Sequence, residues 1–165
     1  GDRTVKLVPT EDELLDHGVL VPISFLRPRR LVSLSIVNAY GEHRALGRLV
    51  RRCAEELGRD VVFVASGDLS HRLIPGAPAG YDTCGAIFDK AVVRAAETGD
   101  LASLSGLDRS LVAGAGECGL RSFIALGGFL GDDAVVDPHV YSYEGPFGVG
   151  YLVARVGRPE AQGES

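Results

Sequence analysis

The chain of 165 residues has no methionine, no tryptophan and only three cysteines, and aromatic residues make up 7% of it. Translation starts at Met, so a sequence opening Gly1-Asp2-Arg3 has lost either that residue or a longer leading piece, and composition does not choose between the two. Cys53, Cys84 and Cys118 are odd in number, widely spaced and free of a C-x-x-C pair, so neither a disulfide framework nor a zinc site is indicated. Cys53 falls on the apolar side of a helical pattern and is expected in the core. No apolar run approaches the roughly 20 residues needed to span a bilayer. The opening residues also lack a charged-then-apolar leader, so no membrane association and a cytoplasmic location are expected. An excess of basic charge is missing too. With 17 Lys+Arg against 22 Asp+Glu, the net charge is −5. That balance argues against nucleic acid or an anionic membrane as partner, since both demand a basic face. The short clusters Arg27, Arg29, Arg30 and Arg48, Arg51, Arg52 read as solvated faces or turns.

What is present is an ordinary globular composition, 45% hydrophobic and 24% charged, enough for one core and a single domain. Strand-like runs recur at Thr4–Val8, Leu31–Val37, Val61–Ala65, Val135–Tyr141 and Gly148–Val156. Helical periodicity lies between them. Leu46, Leu49, Val50, Cys53, Ala54 and Leu57 make one apolar stripe within a helix at Glu42–Leu57, closed by Gly58. Further helices are expected at Ala86–Thr98, ended by Gly99, at Asp108–Ala115 with Asp108 as N-cap, and at a largely buried Leu120–Leu130. The run VVFVA at Val61–Ala65 is continuous rather than alternating, as in a strand covered on both faces. The expected class is α/β, a three-layer α/β/α arrangement with a mostly parallel or mixed central sheet. The polar tail 157–165 reads as a flexible end or linker.

In such sheets chemistry gathers at the carboxyl ends of strands. Directly after VVFVA come Ser66, Gly67, Asp68, Leu69, Ser70 and His71, a compact set in which His71 has the right pKa range for acid–base work. The plainer alternative is that Asp68 or Ser70 caps a turn and His71 is a satisfied loop histidine. Asp16-His17-Gly18 precedes the apolar stretch Val19–Leu26, where a carboxylate at a helix start is ordinary capping. His17 gains weight as a site residue only if its loop and that of His71 meet in one cleft. Gly114–Gly119 matches G-x-G-x-x-G, but what precedes it looks helical rather than strand-like, so the dinucleotide fingerprint is excluded. The turn that remains carries Glu117 at the start of a buried helix, where a carboxylate needs a partner. Arg121 is one, a metal cation another. Two histidines and one carboxylate with open positions suit non-haem Fe(II). A serine hydrolase is excluded by the lack of a G-x-S-x-G elbow. His43 and His139 read as surface or structural residues. In the dense turn Tyr143–Gly150, Tyr143 and Glu144 are candidates for ligand contact.

Taken together, LDHGVLVPISFL at Leu15–Leu26, VVFVASGDLSHRL at Val61–Leu73, GAPAGYD at Gly76–Asp82, AGECGLRSFIALGGFLG at Ala115–Gly131 and YSYEGPFGVGYLVA at Tyr141–Ala154 resemble the class III extradiol ring-cleavage dioxygenases. The likeness is to the protocatechuate 4,5-dioxygenase beta-subunit type, and within it to the AmmeMemoRadiSam and Memo-like branch. The resemblance implies a ferrous ion held by two His and one Glu, with O2 inserted beside a bound aromatic diol. It assigns Glu117 as the metal carboxylate and His71 as the acid/base. It makes His17 a second active-site histidine lining the substrate pocket. Ser66 and Asp68, from their place after the strand, and Tyr143, from its turn, are expected against the substrate. The resemblance also places both iron-ligating histidines ahead of the segment matching Asp16-His17-Gly18, where this chain has none. Residues 1–156 are therefore expected to be the C-terminal portion of one dioxygenase-like domain. The missing ligands are expected from an upstream segment or a partner chain, and a homo-oligomer is anticipated. The alternative is a Memo-like binding module that keeps the pocket without ring cleavage.

Overall fold

A computed structural model describes residue 7 and residues 15–36, 40–132 and 134–157. The described residues form five α-helices: α1 (His17–Leu26), α2 (Tyr40–Glu56), α3 (Thr83–Thr98), α4 (Arg109–Ala115) and α5 (Leu120–Leu130). Two strands follow, β1 (Asp137–Glu144) and β2 (Tyr151–Gly157), paired antiparallel. Local chemistry sets the helix ends. Asp16, Asp82 and Asp108 each accept a backbone N–H in the first turn of α1, α3 and α4, supplying partners that a helix start otherwise lacks. Gly99 and Gly116 close α3 and α4 in the left-handed region, where a side chain would be strained.

The core lies between α3, α4 and α5. Phe88, Val92, Leu101, Leu104, Ala115, Leu120 and Ile124 are buried there, and Leu152 and Val156 of β2 pack against them. α2 lies on α5 so closely that a Cβ on Gly47 would overlap the Ala125 carbonyl, and one on Gly128 would overlap the Arg44 carbonyl. Two glycines thus set the approach of these helices. Arg51 Nη1 donates to the Leu130 carbonyl at 2.7 Å, and an Arg44–Asp132 ion pair closes the same end.

The four helices expected from periodicity are present. The strand expectations fare differently. The runs at 135–141 and 148–156 form β1 and β2, each a few residues further along. Thr4–Val8 lies outside the described residues except for Leu7, as does the tail 158–165. The segments 31–36 and 61–65 belong to no strand ladder. A parallel or three-layer sheet is therefore not present among the described residues, and the architecture is five helices with a two-stranded antiparallel sheet. The physical reason is that the hairpin packs on α3 rather than beside 61–65. That segment is covered on one side only, where the Phe63 ring meets Phe129 at 5.2 Å, while Val62 remains 83% exposed.

Cys53 is a second correction. It is exposed, because only the first half of the α2 stripe, around Ala45 and Leu46, reaches the core, while Leu57 at its far end is solvent-facing. His43 is buried in α2, whereas His139 is exposed on β1 with its ring edge against Tyr141.

Candidate active site

The segment Asp68–Arg72 is stitched to the turn between α4 and α5 by backbone and side-chain hydrogen bonds. The Asp68 carbonyl accepts from the N–H groups of Cys118 and Gly119, and His71 N–H donates to the Ala115 carbonyl. Ser70 Oγ donates to the same carbonyl at 2.8 Å, and Arg72 Nη1 donates to that of Gly114 at 3.3 Å. Close backbone approach requires Gly67, whose φ is 152° and on which a Cβ would stand 2.5 Å from Gly119 Cα. The glycine-rich turn serves backbone contact with the loop carrying Asp68 and His71.

This stitching brings three metal-competent side chains together. One ligand atom each from Asp68, His71 and Cys118 lies within 4.8 Å of the others. His71 Nε2 is 3.5 Å from Asp68 Oδ2 and 4.0 Å from Cys118 Sγ. The Cys118 sulfur also accepts the Asp68 N–H at 3.2 Å. Burial pushes the Cys118 thiol above its ordinary range, the Asp68 N–H bond opposes this, and the Asp68 and Glu117 carboxylates add to it. The group is thus a protonated thiol near neutral pH, and a cation binding there would displace the proton.

Beneath the loop lies a buried carboxylate. Asp89, on α3, is 1% exposed. Its Oδ1 accepts from Ser70 N–H at 2.8 Å and its Oδ2 accepts from Tyr143 Oη at 2.7 Å. Burial raises the Asp89 pKa, with the two hydrogen bonds and the charge of His71 opposing. Burial, followed by the hydrogen bond to Asp89, raises that of Tyr143.

Of the residues singled out from sequence, Ser66, Asp68 and His71 line one loop. The start of α1 meets it, since a Cβ on Gly18 would stand 3.6 Å from Ser66 Oγ; His17 itself is exposed. Ser66 gives its carbonyl to Ser122 Oγ at 2.6 Å. Tyr143 points to Asp89. Glu117 faces away from the cluster: its Oε2 caps α5 by accepting Leu120 N–H at 2.6 Å, and its Oε1 accepts from Tyr40 Oη at 3.4 Å. Sequence reasoning missed Cys118 and Asp89. The signal for Cys118 was its place beside Glu117 on the same turn; for Asp89, inside a regular helix, there was none.

A helix-rich α/β domain thus sets a carboxylate, an imidazole and a thiol at one loop crossing, a group that could hold a metal ion. Residues 3–154 match the model of the LigB family, described as the catalytic LigB subunit of aromatic ring-opening dioxygenase, and the chain belongs to that family, within the class III extradiol superfamily. It is 36% identical over 173 residues to Protein CA_C1420 of Clostridium acetobutylicum, an alignment covering 94% of this chain and 36% of that protein. The chain thus spans about a third of the relative's length. No helix among the described residues is long and apolar enough to cross a membrane.

Proposed function

We propose that the chain contributes to a cytoplasmic aromatic ring-opening dioxygenase that cleaves a catechol-type diol with O2 in the extradiol manner, using Fe(II). The observation that carries this reading is the convergence of Asp68, His71 and Cys118 in a member of the LigB family. The donor chemistry fits a divalent cation: the Asp68 carboxylate suits iron and the Cys118 thiolate adds a softer ligand, with the His71 imidazole beside them for proton handling. When bound, the metal would supply activation of O2 beside the diol.

The chain's own residues supply proton handling and placement. His71, beside the Asp68 carboxylate, is positioned to take a proton from a diol hydroxyl and return it to the product. Ser66 and His17 line the same edge against substrate. Metal ligation by Glu117, which the family resemblance implies, is part of the proposal and requires its carboxylate to leave Leu120 N–H. The three-layer sheet is likewise proposed: exposed β-branched residues such as Val32 and Val62 suit strands covered by further chain, from the same polypeptide or from a partner in an oligomer. A second reading, the Memo-like binding module without ring cleavage, is favoured by one observation, the engagement of Glu117 away from the cluster.

The test is anaerobic Fe(II) loading of the full-length protein, then oxygen uptake and ring-opening absorbance across a panel of catechols. Turnover supports the dioxygenase. Silence with iron demonstrably bound overturns it in favour of the binding module.

A further inference from the structure

Asp89 is a buried titratable group with no part in the chemistry of the loop crossing beneath which it lies. A buried carboxylate is costly unless donors answer it. Here the donors come from two distant segments, Ser70 N–H on the loop and Tyr143 Oη on β1, one to each oxygen. The fit is close on a third side. A Cβ on Gly150 would overlap Asp89 Oδ2 and stand 3.0 Å from Leu69 Cβ, so the glycine leaves the carboxylate its room.

Ser70 gathers these ties. It is fully buried, and its polar groups are all engaged. Its N–H donates to Asp89, its carbonyl accepts from Gly150 N–H at 2.8 Å, and its Oγ donates to the Ala115 carbonyl and accepts from Arg72 N–H at 3.0 Å. His71 is the next residue, with its own N–H fixed on the Ala115 carbonyl. Its ring is held more loosely. Nε2 stands 3.5 Å from Asp68 Oδ2 and 4.0 Å from Cys118 Sγ, both at the long end of the hydrogen-bond range, so backbone placement decides where the imidazole stands.

We propose that Asp89 is the positioning residue for His71: with Tyr143 it holds Ser70, and through Ser70 it holds the imidazole beside Asp68 and Cys118, where a substrate proton can reach it. The consequence for turnover rests on the ring-opening reading, whereas the placement of the ring rests on this geometry alone. Misplacing a reacting group by about 1 Å can cost about 100-fold in rate, so the effect belongs in kcat rather than in KM.

The test uses the full-length protein in two arms. In the metal-free protein, long-range proton–nitrogen NMR reads the His71 ring. Tyr143→Phe should shift or broaden the ring signals. Asp89→Asn, whose amide can accept from Ser70 and donate to Tyr143, should keep them near wild type. In iron-loaded protein turning over a catechol, Tyr143→Phe should lower kcat by about tenfold or more, with KM within about twofold and iron content unchanged. Asp89→Asn should hold kcat to within about threefold of wild type. Val92→Ala, a core change one turn along α3, should lose stability and move neither readout. Wild-type ring signals in Tyr143→Phe overturn the proposal, as does an undiminished kcat or an equal loss in Val92→Ala. A rise in KM instead would return Tyr143 to substrate contact and overturn it too. So would a loss in Asp89→Asn as deep as that in Tyr143→Phe, since charge and not hydrogen bonding would then be at work. If iron-loaded wild type turns over no catechol, the ring-opening reading falls by itself, and the His71 ring signals decide the role of Asp89.

Discussion

Tyr143 donates its hydroxyl to the buried carboxylate of Asp89 at 2.7 Å, and through the other oxygen of that carboxylate β1 is tied to the backbone of Ser70. The loop that carries Asp68 and His71 is thus fastened from below by a residue 19 positions further along the chain. Tyr143→Phe removes the donor and leaves a buried acceptor short of a partner, at a cost of roughly 1–3 kcal/mol. Urea unfolding measures this directly, and an unchanged midpoint would remove the Tyr143–Asp89 bond from the account of the loop.

Asp89 also predicts a pH dependence with a definite sign. Its folded-state pKa is raised by burial, so the native state holds the proton more tightly than the unfolded chain does. The corresponding stability is fully present below the unfolded carboxylate value of about 3.9 and is lost as pH rises through the higher folded value. Asp89→Asn cannot ionise, so the stability of the variant relative to wild type should increase as pH is raised from about 4 toward 7. Denaturation curves of both proteins across that range decide it, and a difference independent of pH would contradict the assignment.

Substitutions at the loop crossing should separate metal ligation from proton transfer. Cys118→Ala removes a donor that only a bound metal needs in ionised form, and a loss of iron affinity of about 10- to 100-fold is expected. His71→Ala should retain iron and lose roughly 100-fold or more in turnover. Inductively coupled plasma analysis beside steady-state rates reads both. Loss of iron in His71→Ala would make the imidazole a ligand instead of the proton carrier.

Glu117→Ala carries a structural cost whatever its part in catalysis. The α5 start loses its side-chain acceptor at Leu120 N–H, worth about 1 kcal/mol by analogy with other N-terminal caps. Glu117→Gln keeps an acceptor oxygen and should recover most of it. A thermal melt of the three proteins is sufficient, and equal destabilisation by both substitutions would show that charge rather than capping matters.

Gly67→Ala is expected to be among the most damaging small changes. The new Cβ would meet the Gly119 backbone at 2.5 Å, at a φ of 152° that side chains rarely adopt. Neither backbone can yield without breaking the Asp68–Gly119 hydrogen bond, so a loss of at least 1–3 kcal/mol is expected, together with weakened metal uptake. Native-like stability in Gly67→Ala would show that the crossing is looser than described.

The sequence by itself determined the helices. The α2 stripe, the aspartates before α1, α3 and α4, and the glycines closing α3 and α4 are local signals that act within a few residues and need no distant partner. Position along the chain also marked the loop Ser66–His71 and the turn holding Glu117. Three things required the tertiary structure. Whether Val61–Ala65 forms a strand depends on a ladder partner, which no property of the segment supplies. Cys53 and Leu57 are apolar in pattern yet exposed, because the depth of a helix face is set by what packs on it. Finally, the orientation of Glu117 and Cys118, neighbours on one turn, was decided by long-range bonds. Tyr40 and the α5 start hold the carboxylate on one side, while the Asp68 backbone holds the thiol on the other, beside His71.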